Sequence, residues 1–289
     1  MVAFLLLCCV FDRPGGRVGV DGYREPMTTT HHVGDPCWME LASPDPAAAE
    51  TFYGPLFGWE FADVDGLAGY RLIISAGRPV GGLLPASGRE EGWLPYLKDR
   101  DLTRTLGRVL DDEDQLVVAP TQVGALGVKA VIAVQGVVGL WQPGTAPGAC
   151  WDDGPGTPAW VGFRTFDVAE TGRFYRRQLR WRIGTRYDPV VTMGGPPFYV
   201  ATDRAGITEE VSCLRDDDPR WADIHIRVAE AGGFPDRVLE LGGTVELEAW
   251  DTPAGRVQVI TDPQGCELSL LSGAPTDPVM IWGPGQPVG

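Results

Sequence analysis

Two short stretches carry the side chains with the most evident chemistry. In CWMELA, strand alternation puts Trp38 and Glu40 on one face and Met39 and Leu41 on the other. In DIHIRV, Asp223, His225 and Arg227 share a face opposite Ile224, Ile226 and Val228. An indole ring beside a carboxylate suits a flat, cationic organic molecule: the ring gives stacking area and an electron-rich face, and the carboxylate an ion pair. The alternative is that Trp38 simply fills the interior of the fold. Asp223 and His225 fit an acid/base pair or, equally, a hydrogen-bonded polar face.

Metal chemistry fits less well. A divalent ion needs several His, Cys, Asp or Glu donors at one point, and the chain has 3 His, of which His31 and His32 precede the first periodic segment. The cysteines (Cys8, Cys9, Cys37, Cys150, Cys213, Cys266) form no Cys-x-x-Cys pair and read as reduced residues of a cytoplasmic protein. Gly-rich runs lack the strand-to-helix context of a phosphate loop. No metal or other cofactor is expected. A net charge of −15 repels polyanions, so neither nucleic acid nor an anionic membrane surface is an expected partner, whereas a neutral or cationic small molecule is.

The elements that must position these residues are legible through a repeat. Trp38 and Trp160, Asp45 and Asp167, Phe52-Tyr53 and Phe174-Tyr175, and Trp59 and Trp181 are each separated by 122 positions, the trace of a duplicated module. The first copy reads as a strand from Cys37, a turn Ser43-Pro44-Asp45-Pro46 with Asp45 as helix cap, a helix over 47–57 closed by Gly58, and three further strands. The order strand, helix, three strands recurs from Trp93, from Trp160 and from Trp221. The expected division is a first domain over 36–142, a linker over 143–157, a second domain over 158–272 and a flexible tail over 273–289. Residues 1–35 begin with the apolar run MVAFLLLCCVF, too short to span a membrane. They are expected to lie outside the fold, as an upstream-start extension ahead of Met27 or as a flexible arm.

Four such βαβββ modules in two pairs resemble the vicinal oxygen chelate superfamily of glyoxalases, bleomycin-resistance proteins and extradiol dioxygenases. The likeness is carried by SPDPAAAETFYGPLFGW, RPVGG, GLWQPG, ELGGTV, DTPAGRVQVITDPQG and ELSLL, over roughly residues 36–272. It implies an α+β fold of two glyoxalase-like domains, each a curved mixed sheet around a cleft lined by the strand faces opposite the helices. Metal-dependent members place a His in the first strand and a Glu near the end of the last; those positions fall here on Trp38 and Trp160, and on Ser269. The resemblance therefore implies a member without the family's ligand set.

With that fold, the expected cleft residues are Trp38, Glu40, Trp160, Arg164, Asp223, His225, Arg227, Glu267 and Ser269, joined by the loop aromatics Tyr70, Trp93, Trp141, Phe198 and Tyr199. The run Gly194-Gly195-Pro196-Pro197 could act as a lid. The leading expectation is a metal-independent protein that binds a polycyclic, cationic natural product, serving self-resistance or an accessory step of aromatic polyketide or anthracycline formation. The alternatives are a metal-free oxygenase, isomerase or cyclase using Glu40, Asp223 or His225, and, third, a glyoxalase-like metal lyase or a dioxygenase. A pathway enzyme is an additional candidate partner, and monomer and homodimer both stay open.

Overall fold

The computed structural model describes residues 31, 33–86, 91–109, 115–133, 137–144, 148–149, 154–165, 174, 177, 182–185, 199–202, 208–213, 222–230, 233–245, 249–252 and 255–273. Two strongly curled mixed sheets make up the fold. The first contains β1 (Pro36–Ser43), β2 (Trp59–Asp63), β3 (Arg71–Ser75), β4 (Arg78–Pro85), β5 (Gly92–Lys98), β6 (Leu116–Val123), β7 (Gly127–Ala133) and β8 (Val137–Pro143), in the order β2-β3-β4-β1-β5-β8-β7-β6. Its helices are α1 (Pro46–Phe57) and α2 (Leu102–Val109). Each half is a strand, a helix and three strands; β1 runs parallel to β4, β5 parallel to β8, and the halves join through the antiparallel pair β1–β5.

The second sheet repeats the plan. It contains β9 (Pro158–Thr165), β10 (Arg182–Thr185), β11 (Tyr199–Thr202), β12 (Thr208–Cys213), β13 (Ala222–Arg227), β14 (Thr244–Val245), β15 (Trp250–Thr252), β16 (Gly255–Thr261) and β17 (Glu267–Ser272), with α3 (Pro235–Glu240) before β14. Again β9 is parallel to β12, β13 is parallel to β17, and β9–β13 is the antiparallel seam.

Helix α1 shows why the turn reads as it does. The Asp45 side chain accepts from Ala48 N, Pro46 occupies the first turn, and Gly58 takes the left-handed conformation (φ 70°) that closes the helix. Its buried stripe, Ala49, Phe52, Tyr53 and Leu56, lies against Met39, Leu41, Trp59 and Trp93 of the first sheet and shares one core with Ile224, Ile226, Val238, Ile260 and Leu268 of the second. Polar ties cross the same boundary: Tyr53 OH donates to Asp262 Oδ2 (3.0 Å) and Trp59 Nε1 to Gly156 O (2.7 Å). With one face of each sheet committed to this shared core, the opposite faces form two separate concavities.

The first residues depart from expectation. Gly34 N donates to Lys98 O and Lys98 N to Asp35 O, which extends the β1–β5 pairing backward, and Lys98 Nζ donates to His31 O (2.6 Å). His31 is buried, with Nε2 3.0 Å from Ala149 O. Residues 31 and 33–35 thus belong to the fold, because backbone pairing and one buried imidazole hold them, signals that hydropathy alone does not carry.

Candidate functional site

The first concavity is built from alternate residues of its strands. Met39 and Leu41 of β1 face the shared core, so Trp38 and Glu40 face the other way. Across the sheet, Trp38 is in register with Tyr96 of β5, Tyr96 with Gly139 of β8, and Lys129 of β7 with Trp141 of β8. Tyr70, just before β3, reaches over Gly82. A Cβ at Gly82 would lie 2.1 Å from the Tyr70 hydroxyl, and one at Gly139 would lie 2.2 Å from the Tyr96 ring. Glycine at both positions is what lets the two phenols enter.

Glu40 is the centre. It is 2% exposed, and its Oε1 accepts from Tyr70 OH (2.7 Å) while Oε2 accepts from Tyr96 OH (2.6 Å) and pairs with Lys129 Nζ. Trp38 Nε1 in turn donates to Tyr70 OH (3.1 Å). Trp38 stacks on Trp141 with centroids 5.2 Å apart, Tyr96 meets the Trp141 ring edge-on, and the Lys129 ammonium lies 5.7 and 5.8 Å from the Tyr70 and Tyr96 ring centres. Burial, reinforced by the Glu40 charge, holds the Tyr70 phenol well above its ordinary pKa, so it stays protonated and donates to the carboxylate. A small opening leads to this centre. It encloses about 190 Å³, counting the part open to solvent, and is lined by Glu40, Ala42, Leu84, Gly92, Leu94 and Tyr96.

The second concavity is different. Trp160 of β9 is in register with His225 of β13, and His225 with Ser269 of β17. All three are buried, with Asp223, Arg227 and Glu267 half-buried on the same strands. Arg227 Nη1 donates to Gly273 O (2.9 Å) at the strand end. Arg164 and Tyr199 lie on strands whose backbone alone is described, and Phe198, like the run 194–197, lies outside the described residues.

The structure thus brings Trp38, Glu40, Tyr70 and Trp141 together in the first concavity, and Trp160, His225 and Ser269 in one row of the second. It separates Trp93 from both. That residue sits in β5 on the shared-core side, 5.9 Å from the Trp59 ring, and its Nε1 donates to Tyr53 OH (2.9 Å). Its face was fixed by strand alternation opposite Tyr96. Tyr96 and Lys129 complete the first centre and escaped the sequence reading. A lone lysine inside the apolar run VKAVIA was the available signal, since a buried charge requires a partner.

Among the described residues neither concavity gathers a metal's donor set. The ammonium of Lys129 occupies the place beside Glu40 that a cation would take, and the first-strand positions are indoles. Among the described residues no three His, Cys, Asp or Glu side chains converge. Nor is any described helix long and apolar enough to cross a membrane.

Comparison with known proteins adds three findings. A family model described as a glyoxalase-like domain matches residues 160–271. Anthracycline biosynthesis protein DauV of Streptomyces sp. (strain C5) is 30% identical over 258 residues, covering 82% of this chain and 93% of that protein; DnrV of Streptomyces peucetius, of the same description, is 30% identical over 263 residues, covering 82% and 93%. Among solved structures, the Mn(II)-bound glyoxalase from Novosphingobium aromaticivorans superposes with a TM-score of 0.54 at 12% identity, over 82% of this chain and 80% of that one, a likeness of fold alone.

Proposed function

The chain belongs to the glyoxalase-like family of the vicinal oxygen chelate fold, and on that premise we propose that it binds a polycyclic aromatic natural product, without a metal, in the biosynthesis of an anthracycline-like compound. The observation that carries this reading is the buried Glu40–Lys129 pair among aromatic side chains, with Glu40 and Tyr96 lining an opening to solvent. The descriptions of DauV and DnrV supply the pathway class. The enclosed part of the opening, about 10 Å³, is far smaller than the roughly 300–1,000 Å³ of sites that enclose a drug-sized molecule. The proposed ligand therefore lies mostly at the mouth, with one edge directed at Glu40.

The expectation of a cationic ligand loses its basis in the first concavity. Glu40 is already neutralised by Lys129, and an amine would have to displace a buried ammonium of the same charge. A second reading, a metal-free isomerase or cyclase, draws on the same carboxylate standing at the opening with two phenols and an ammonium around it.

Native mass spectrometry of the chain with a panel of anthraquinone-type compounds separates these. Binding without chemistry is expected to give a complex of unaltered ligand mass that survives a chelator. A ligand of changed mass would favour the enzyme, and no complex with any member of the panel would overturn the proposal.

A further inference from the structure

The polar centre of the first concavity has hydrogen-bonding capacity that the protein leaves unused. Each carboxylate oxygen has two acceptor sites, and Glu40 Oε1 accepts one bond, from Tyr70. An ammonium has three donors, and among the described residues Lys129 Nζ makes a single hydrogen bond, to Glu40, with the ring centres of Tyr70 and Tyr96 5.7 and 5.8 Å away. A spare acceptor on Glu40 and the spare donors of Lys129 therefore lie side by side in a buried site, where unmade hydrogen bonds are costly. Glu40 and Tyr96 line the opening itself.

We infer that this centre reads an adjacent hydroxyl and carbonyl on one edge of the aromatic ligand, with Glu40 accepting from the hydroxyl and Lys129 donating to the carbonyl oxygen. The chemical class is a neutral peri-hydroxyquinone or an equivalent hydroxy-ketone. The inference rests on the binding reading above and specifies what that site selects. Its physical basis is charge balance. The pair is neutral overall, so a ligand that offers only a cation or only an anion leaves one buried partner without its counter-charge. A hydroxyl–carbonyl edge engages both partners and leaves the ion pair intact. In the free compound the hydroxyl bonds to its own ketone; in the site the charged carboxylate is a stronger acceptor, and Lys129 replaces the donor that the ketone loses.

The test uses the whole chain and four compounds: anthracene, anthraquinone, 1-methoxyanthraquinone and 1-hydroxyanthraquinone. Affinities are read by quenching of tryptophan fluorescence. The hydroxy compound is expected to bind about tenfold or more tightly than the methoxy compound, which keeps the ring and the carbonyl but lacks the donor. The visible band of the bound hydroxy compound is expected to move to longer wavelength, toward its phenolate form. In the double variant Glu40→Gln/Lys129→Met, shown to be folded by circular dichroism, the preference should fall to near unity. Should that variant fail to fold, the wild-type affinity ratio and the band shift still decide. Equal affinities for the hydroxy and methoxy compounds, or tighter binding of a cationic aminoalkyl anthraquinone, would overturn the inference while leaving aromatic binding intact. Failure of all four to bind would remove the binding reading as well.

Discussion

The two concavities are the same frame with different contents, and strand register makes the comparison residue by residue. The row Trp38–Tyr96–Gly139–Val131 in the first sheet corresponds to Trp160–His225–Ser269–Val259 in the second. One step along, the cross-strand pair Lys129–Trp141 corresponds to Val257–Leu271. Glu40, flanked by Gly82 and Leu94, corresponds to Gly162, flanked by Glu210 and Asp223. Duplication preserved the strand pairing and the first-strand indole, but among the described residues the buried ion pair and the tryptophan stack are seen in the first concavity alone. The first holds a buried polar centre; the second has Val257 and Leu271 at the positions of Lys129 and Trp141, and a histidine where the first has a tyrosine.

The largest break in this comparison is expected from Lys129→Met, which converts the first concavity toward the second at one position and leaves Glu40 buried without its counter-charge. A loss of about 3–5 kcal/mol in unfolding free energy is expected, measured by urea denaturation. Adding Glu40→Gln should restore most of it, because removing both charges together leaves nothing unpaired. If the single substitution is neutral, Glu40 is not held by Lys129 as described.

Exchanging the glycines tests the frame itself. Gly139→Ser copies the second sheet, and its Cβ meets the Tyr96 ring, so a cost of about 1–3 kcal/mol is expected. Tyr96→His in the same chain should relieve part of it, since that recreates the His225–Ser269 pair. The reverse change, Ser269→Gly, should cost only about 0.5–1 kcal/mol, the entropic penalty of glycine in a strand. A Gly139→Ser effect no larger than that of Ser269→Gly would mean that the phenol does not need the gap.

The smallest effect concerns the strap at the start of the fold. Burial lowers the pKa of His31, opposed by its bond to the Ala149 carbonyl. The unfolded chain thus binds this proton more readily than the folded one. The stability His31 contributes is complete above its unfolded value of about 6.5 and declines as pH falls through that range. Comparing thermal unfolding of wild type and His31→Gln at pH 7.5 and pH 5.5 should show the larger acid loss in wild type. An identical loss in both would show that His31 carries no part of it.

Most of the fold was legible because it repeats. A constant offset of matched aromatics and the Asp45 cap locate the module, and alternation within CWMELA and DIHIRV assigns Glu40 and His225 to the concave faces. Trp93 shows the limit of reading aromatics as loop residues: two positions of alternation decide between the shared core and the concavity, and it lies in the core. Tyr96 and Lys129 were not legible, since their role depends on contacts with Glu40 that are 56 and 89 positions apart in the sequence and are made only by pairing across β5, β8 and β7. Even so, Gly82 and Gly139 in apolar strands mark where another group approaches closely. His31 is held through Lys98 Nζ and the Ala149 carbonyl, contacts that no side-chain pattern announces.

The asymmetry of the two concavities is tested most directly by calorimetric titration of 1-hydroxyanthraquinone, with excess chelator, into the wild type, Trp141→Leu and Trp160→Leu. One molecule per chain is expected in the wild type and in Trp160→Leu, with binding lost in a folded Trp141→Leu. Two sites per chain, or binding lost through Trp160→Leu and kept through Trp141→Leu, would contradict the assignment of the ligand to the first sheet.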